Sequence, residues 1–188
     1  MCLVALNQRE ILTLDEVSPV LWDYVRYEIA KEGIYVFGGL KGEHLDHEIE
    51  DNNLYCLSIG SRVHTWEKLK TRGPTPIARY QHSMHFIRHA NLMVVLGGRA
   101  LRGPQSLSLT SDYIQDISAL NLLTLEWCLI EMRGNPVTGI YGFSSCMTQN
   151  DDIYIYGGSL EPNINSQKLF KFTVKPCDAL ANDSVLLG

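Results

Sequence analysis

The chain lacks any patterned set of cysteines. Its five cysteines are odd in number, lie far apart and form no Cys-x-x-Cys pair: Cys2, Cys56, Cys128, Cys146 and Cys177. A zinc site or a disulfide framework needs cysteines at regular, matched spacings. Neither is predicted, and reduced thiols favour a cytoplasmic protein.

The sequence also lacks a basic block and a long hydrophobic run. Formal net charge is -5 over 188 residues, without a cluster of Lys and Arg. Binding to nucleic acid through its phosphates is therefore not predicted. No stretch approaches eighteen apolar residues, and the first ten residues lack the positive start of a signal peptide, so no membrane segment or leader is predicted. With 45% hydrophobic and 20% charged residues, the chain has the composition of a folded domain.

The chain does contain an internal repeat. Three apolar, β-branched and aromatic runs each end in a glycine pair: Gly33–Gly39, Asn91–Gly98 and Asp152–Gly158. Their last glycines, Gly39, Gly98 and Gly158, are 59 and 60 positions apart. Self-similarity at a fixed period is typical of solenoids and propellers. Each run predicts a strand that ends in a turn.

Further landmarks follow each glycine pair. A second strand and then a tryptophan come after the first two pairs: Asn53–Ile59 with Trp66, and Asp116–Asn121 with Trp127. After the third pair, Lys168–Val174 matches the second strand but no tryptophan follows. The pattern predicts blades of four antiparallel strands, A to D. Strand A is Gln81–Arg88 in the middle blade, B ends at the glycines, and D carries the tryptophan.

The two ends of the chain are predicted differently. Leu3–Asn7 and Ile11–Leu14 fit strands C and D of a preceding partial blade, and Trp22–Ile29 fits strand A of the first complete blade. Lys175–Gly188 shows no clear strand partner and is predicted to be a loose tail. The predicted division is 1–18 (partial blade), 19–70, 71–131 and 132–174 (blades 1, 2 and partial 3) and 175–188 (tail).

The glycine pair, the tyrosine position on strand C (Tyr55 in the first blade) and the tryptophan resemble the kelch repeat, over roughly residues 20 to 174. Arg79–Ser83 also resembles the family's run into strand A. The resemblance implies an all-β fold, a partial kelch-type β-propeller with four-stranded antiparallel blades. Propellers use 4–8 blades, so three blades make an incomplete ring. We expect self-association or missing blades elsewhere to complete it.

Glycine pairs and tryptophans are predicted to be structural. A glycine with positive φ and no Cβ lets a neighbouring backbone or ring approach closely, and an indole ring buries a large area. We expect the neighbour's indole to pack on the glycines. The predicted structural-repeat residues are Gly38, Gly39, Trp66, Gly97, Gly98, Trp127, Gly157 and Gly158.

Histidines offer a metal hypothesis that the pattern does not favour. His82 and His85 lie three apart on a strand and point to opposite sides, and His89 follows them. His44 and His47 lie in an acidic loop that lacks the alternation of a calcium loop. Packing and solvated histidines are predicted, with no metal or other cofactor. No catalytic residue is predicted either, since the chain has no Gly-x-Ser-x-Gly elbow.

The prediction of partner-contacting residues is based on the charges of the loops. The B–C loop of blade 1, residues 41–53, is acidic, whereas that of blade 2, residues 99–112, carries arginines. The resemblance implies that the B–C and D–A loops gather on one face and contact partners. The predicted contact residues are Arg79, Tyr80, Arg99, Arg102 and Tyr141, because Arg pairs with carboxylates and Tyr gives rigid contact area.

The predicted function is a protein-protein interaction module that binds an acidic or mixed-charge protein or peptide. Within it, an adaptor of a ubiquitin ligase and a cytoskeletal or ciliary scaffold stay open. The alternative is a propeller enzyme, an oxidase or a sugar-processing protein, with its site in the central channel.

Overall fold

The computed structural model describes residues 3–5, 11–13, 26–30, 33–41, 49–50, 52–58, 65–100, 112–134, 139–161, 164–176 and 185–187. Their regular structure is strand, apart from one 3-10 turn at Arg88–Ala90. Within these ranges, no helix has the length and apolarity to cross a membrane. The predicted all-β class is confirmed.

The strands are short and follow one another in order along the chain. They are β1 (Leu3–Ala5), β2 (Ile11–Thr13), β3 (Arg26–Ala30), β4 (Gly33–Phe37), β5 (Leu40–Lys41), β6 (Ile49–Glu50), β7 (Leu54–Ser58), β8 (Trp66–Leu69), β9 (Ser83–Ile87), β10 (Leu92–Leu96), β11 (Arg99–Ala100), β12 (Asp112–Tyr113), β13 (Ile117–Asn121), β14 (Glu126–Leu129), β15 (Glu131–Met132), β16 (Ser144–Met147), β17 (Asp152–Tyr156), β18 (Ser159–Glu161), β19 (Ile164–Asn165), β20 (Leu169–Pro176) and β21 (Val185–Leu187).

Three antiparallel sheets form the blades. Blade 1 has the order β3-β4-β7-β8, blade 2 has β9-β10-β13-β14, and blade 3 has β16-β17-β20-β21 with β15 added at its edge. A two-stranded ribbon leaves each B–C connection: β5–β6, β11–β12 and β18–β19. β1 and β2 pair with each other in an antiparallel ribbon. The predicted partial propeller of four-stranded blades is confirmed.

Hydrophobic cores lie between the blades. β10 is buried along its whole length, because blade 2 is covered on both sides. Met93 and Val95 pack with Phe37 of blade 1, whereas Val94 and Leu96 belong to the core shared with blade 3. Side chains alternate between the two sides of a strand. The blades therefore stack face to face, which is how each sheet buries its apolar surfaces.

The glycine pairs lie where one blade meets the next, but the expected indole is not there. A Cβ on Gly97 would lie 2.5 Å from the Ile140 carbonyl oxygen and 2.9 Å from the Phe143 ring. Gly38 has the same relation to the Arg79 carbonyl and His82. The expectation that the indole packs on the glycines is wrong.

The tryptophans lie elsewhere in the blades. Trp127 is buried against Phe37, with 5.3 Å between ring centroids. Trp66 is half-buried opposite Leu57 in blade 1. Trp127 thus packs between blades as predicted, although its contact is an aromatic ring of the preceding blade and not a glycine pair.

The predicted loose tail contributes a strand. Val185–Leu187 pairs antiparallel with the end of β20, and Leu186 and Leu187 pair parallel with Glu131 and Met132. The expectation is wrong for these three residues, since their apolar, partly β-branched sequence gives blade 3 a fourth strand. The same parallel tie joins Arg72 after blade 1 to Glu126 in the outer strand of blade 2. The segments that leave blades 1 and 2 therefore pair alongside the outer strand of the next blade.

Candidate partner-binding site

Lead-in segments before strand A place tyrosines beside the ends of strand B. The Tyr80 N–H donates to the Arg99 carbonyl at 3.0 Å, and the Arg99 N–H donates back at 2.9 Å. Tyr141 and Ser159 exchange the same two bonds at 3.2 and 2.9 Å in blade 3. Because both bridges start right after a glycine pair, the repeat places one tyrosine at the B–C end of blade 2 and one at the B–C end of blade 3.

Four side chains meet at this end between blades 2 and 3. Arg99 lies opposite Tyr113 in the β11–β12 ribbon. The Tyr113 ring stacks on Tyr141 with centroids 5.2 Å apart and planes 6° apart. The Arg99 guanidinium carbon is 4.5 Å from the Tyr141 centroid and 5.7 Å from that of Tyr80. We call Tyr80, Arg99, Tyr113 and Tyr141 the Tyr/Arg cluster.

The side chains of the Tyr/Arg cluster are fixed by contacts with one another but are only partly buried. Arg99, Tyr113 and Tyr141 are half-buried, whereas Tyr80 is buried. A guanidinium over an aromatic face gains roughly 0.5 to 2 kcal/mol, depending on how dry the site is. The rings therefore fix the position of the Arg99 charge and leave part of each of these three residues accessible. A flat aromatic surface with a fixed cation can bind a carboxylate together with an apolar group.

The structure brings together three of the five predicted contact residues: Tyr80, Arg99 and Tyr141. Arg102 lies outside the described residues. Tyr113 was not predicted, because it follows a long loop whose return point carries no spacing signal. Its position opposite Arg99 comes only from the ribbon register.

Arg79 is corrected from a contact residue to a structural one. Its side chain is 0% exposed and forms an ion pair with Asp116 at 2.8 Å. The guanidinium also donates to the Gly97 carbonyl at 3.2 Å and to the Ile77 carbonyl at 3.2 Å. Burial lowers the pKa of Arg79, and the Asp116 carboxylate opposes that change. Arg79 therefore fixes the lead-in segment that carries Tyr80, and offers a partner no surface.

A cleft of about 630 Å³ lies between part of blade 1 and part of blade 2, and its lining includes Tyr35, Cys56, Glu67 and Leu122. Burial, followed by the adjoining Cys56 thiol, raises the pKa of Tyr35 to about 12. Burial also raises the pKa of Cys56. Both groups stay protonated near neutral pH, whereas a nucleophile or metal ligand at these positions needs the anion.

The histidines serve packing and hydrogen bonding. His82 lies edge-on to Phe37 of blade 1 at 5.8 Å, whereas His85 faces blade 3 and lies 3.0 Å from the Ser145 hydroxyl. The predicted opposite orientation is confirmed. His89 Nδ1 lies 2.8 Å from an Asp151 carboxylate oxygen. His44 and His47 fall outside the described residues, and the described ranges hold no group of three metal-ligating residues.

Comparisons with curated proteins give kelch proteins and a host cell factor. Host cell factor homolog hcf-1 of Caenorhabditis elegans is 31% identical over 137 residues, which cover 66% of this chain and 16% of that protein. Kelch domain-containing protein 10 of Homo sapiens is 28% identical over 131 residues, covering 67% and 28%. Kelch domain-containing protein 3 of Rattus norvegicus is 26% identical over 145 residues, covering 75% and 34%. The chain spans about a third or less of these relatives.

Solved structures agree on the fold. A chain in the cryo-EM structure of RAG in complex with one melted and one unmelted RSS superposes with a TM-score of 0.69 at 17% identity, covering 92% of this chain and 52% of that one. The structure of YjhT gives a TM-score of 0.57 at 19% identity, covering 77% and 36%. The family model described as the KLHDC2/KLHL20/DRC7 Kelch-repeats domain matches residues 24–177. The chain belongs to the kelch-repeat family.

Proposed function

We propose that the chain is an interaction module that binds an acidic or mixed-charge segment of a protein through the Tyr/Arg cluster. Kelch-repeat relatives generally mediate protein–protein interactions. The observation that carries the proposal is the Arg99 guanidinium held beside the Tyr141 and Tyr80 rings at the B–C end of the blades. Tyrosine and arginine dominate the binding energy of many interfaces.

Charge defines the kind of segment. Arg99 supplies a cation that can pair with a carboxylate, while Tyr113 and Tyr141 supply stacked apolar surface. Asp116, three residues after Tyr113, forms an ion pair with the buried Arg79. A segment that presents Asp or Glu next to an apolar side chain matches both features.

The test is selection of peptides from a random displayed library against the full chain. We expect peptides rich in Asp and Glu. Their affinity for Arg99→Ala should fall about 10- to 30-fold, which corresponds to roughly 1.4 to 2 kcal/mol. Lys68→Ala is the matched control, because Lys68 is exposed on blade 1 and the substitution removes the same charge. Equal affinity for the two variants would contradict the proposal.

We further place the protein in the cytoplasm, in an adaptor or scaffold role. Cys56 and Cys146 form no disulfide within the described residues, and a reducing compartment keeps thiols in that state. An adaptor of a ubiquitin ligase would couple the bound segment to a second, catalytic protein, whereas a cytoskeletal or ciliary scaffold would bind filament components. Affinity purification with Arg99→Ala as the negative control separates the two by the partners it loses.

A further inference from the structure

The residue after each lead-in tyrosine has a left-handed backbone. Gln81 follows Tyr80 with a φ of 55°, and Gly142 follows Tyr141 with a φ of 62°. The lead-in segments of blades 2 and 3 therefore bend in the same way at this point. Glycine adopts a positive φ freely because it has no Cβ, whereas a side chain as long as that of glutamine is uncommon there.

Gln81 differs in its setting from the other residues with a positive φ that are not glycine. Among the described residues these are Asn91, Leu125 and Asp151. Each of the three lies in a turn between two paired strands, whereas Gln81 lies in the lead-in segment before β9. A glycine serves at the same place in blade 3. The strained backbone of Gln81 is therefore explained if its side chain is needed there.

Gln81 lies between the two lead-in tyrosines of the Tyr/Arg cluster. It is bonded to Tyr80 along the chain, and its carbonyl accepts a hydrogen bond from the Gly142 N–H at 3.2 Å, next to Tyr141. The residue is half-buried. Its side chain therefore leaves the backbone at the same end of the blades that holds the Arg99 guanidinium.

The carboxamide of Gln81 contains a hydrogen-bond acceptor without a donor. Its oxygen is buried and has no partner among the described residues. Such an acceptor is unfavourable, and folded proteins usually provide it with a donor. Rotation of this half-buried side chain toward solvent would allow a bound partner to supply the N–H. The carboxamide nitrogen can donate a hydrogen bond to the same partner in return.

We propose that Gln81 is a specificity-determining residue of the partner-binding site, and that its carboxamide pairs with a main-chain peptide unit of the bound segment. This inference rests on the proposed function and names the form of the segment. A carboxamide and a peptide unit each offer one N–H and one C=O, so two hydrogen bonds can form between them. These main-chain groups are available in an extended segment, whereas inside a helix they already pair with each other. The site therefore selects an extended acidic segment over a helical one.

The first experiment uses the acidic peptides selected on the full chain. Gln81→Gly removes the carboxamide and leaves a residue that suits the positive φ. We expect peptide affinity to fall about tenfold, while the urea concentration at the unfolding midpoint stays at or above that of the unaltered chain. Leu125→Gly is the matched control, because Leu125 has the same φ of 55° but lies in the turn after β13, at the end of that strand away from Tyr113. Its peptide affinity should not change.

The second experiment tests the main-chain contact directly. The best acidic peptide is N-methylated at one peptide nitrogen at a time, which removes one N–H donor in each derivative. At one position beside the acidic residue, we expect the methyl group to weaken binding to the unaltered chain about tenfold and to leave binding to Gln81→Gly unchanged. A purely structural role of Gln81 would not produce this dependence.

Each other outcome overturns the inference. Peptides that lose affinity for Arg99→Ala but bind Gln81→Gly as tightly as the unaltered chain would overturn it and leave the proposed function standing. Equal effects of N-methylation on both chains, or a lower urea midpoint for Gln81→Gly, would assign Gln81 to the fold. Peptides that bind Arg99→Ala without loss would overturn the proposed function and this inference together.

Discussion

Replacing Gly97 by alanine should destabilise the chain far more than replacing Gly157. Both glycines have positive φ, near 64° and 74°. A left-handed conformation costs a residue with a Cβ about 1 to 2 kcal/mol, and both variants bear this cost. Only Gly97→Ala places its Cβ 2.5 Å from a carbonyl oxygen, that of Ile140.

The difference between the variants measures the blade junction. To relieve the contact, the lead-in segment of blade 3 must move away. That movement weakens the hydrogen bond from Gly98 to Ile140, worth about 1 kcal/mol. It also disturbs the Phe143 packing, and overpacking of this kind costs about 1 to 3 kcal/mol. We therefore expect Gly97→Ala to lose about 2 to 4 kcal/mol more than Gly157→Ala.

Urea unfolding followed by tryptophan fluorescence would measure this difference, because Trp127 is buried between blades 1 and 2. Among the described residues, no atom lies within 4 Å of a Cβ placed on Gly157. Equal losses in the two variants would show that the close approach at Gly97 is not a source of stability, and would refute this account of the glycine pairs.

Two further predictions concern buried polar groups. Burial lowers the pKa of His85 to about 4, so the unfolded chain takes up a proton near pH 6.5 and the folded chain does not; stability should fall by about 3 kcal/mol between pH 6.5 and 4. In His85→Asn, the urea concentration at the unfolding midpoint should depend less on pH over that range. An unchanged pH dependence would contradict the assignment. Asp116→Asn should cost about 2 kcal/mol, since it leaves the Arg79 charge unpaired in the interior, and the loss stays below that of a wholly buried pair because Asp116 is 35% exposed. Thermal and urea unfolding of this variant would check it, and a change below about 0.5 kcal/mol would contradict it.

Much of the fold could be predicted from the sequence because each blade repeats the same pattern of strands and glycine pairs. The glycine pairs mark the ends of β4, β10 and β17, and alternating apolar residues mark the buried strands. The contents of each junction could not be predicted in the same way. Whether an indole or a carbonyl covers a glycine depends on how two blades lie against each other, and the spacing of residues within one blade does not specify that.

The candidate site was predictable only in part. Tyr80 and Tyr141 share a place in the repeat, so their common surroundings followed from the sequence. Arg79 and Tyr80 are adjacent, yet Arg79 is buried with Asp116 while Tyr80 joins the cluster. Charge suggested an exposed role for Arg79, but its partner lies 37 positions away along the chain. Such a distant pairing depends on the tertiary fold.

The parallel ties between blades give the array a direction. Residues 131–132, which leave blade 2, hold β21 of blade 3, just as Arg72, which leaves blade 1, holds the outer strand of blade 2. Local melting of an earlier blade would release the outer strand of the blade that follows it. Melting of a later blade would leave the earlier one's outer strand in place. Local unfolding should therefore spread more readily toward the carboxyl terminus. A destabilising substitution in an amino-terminal blade should then also destabilise the blades that follow it.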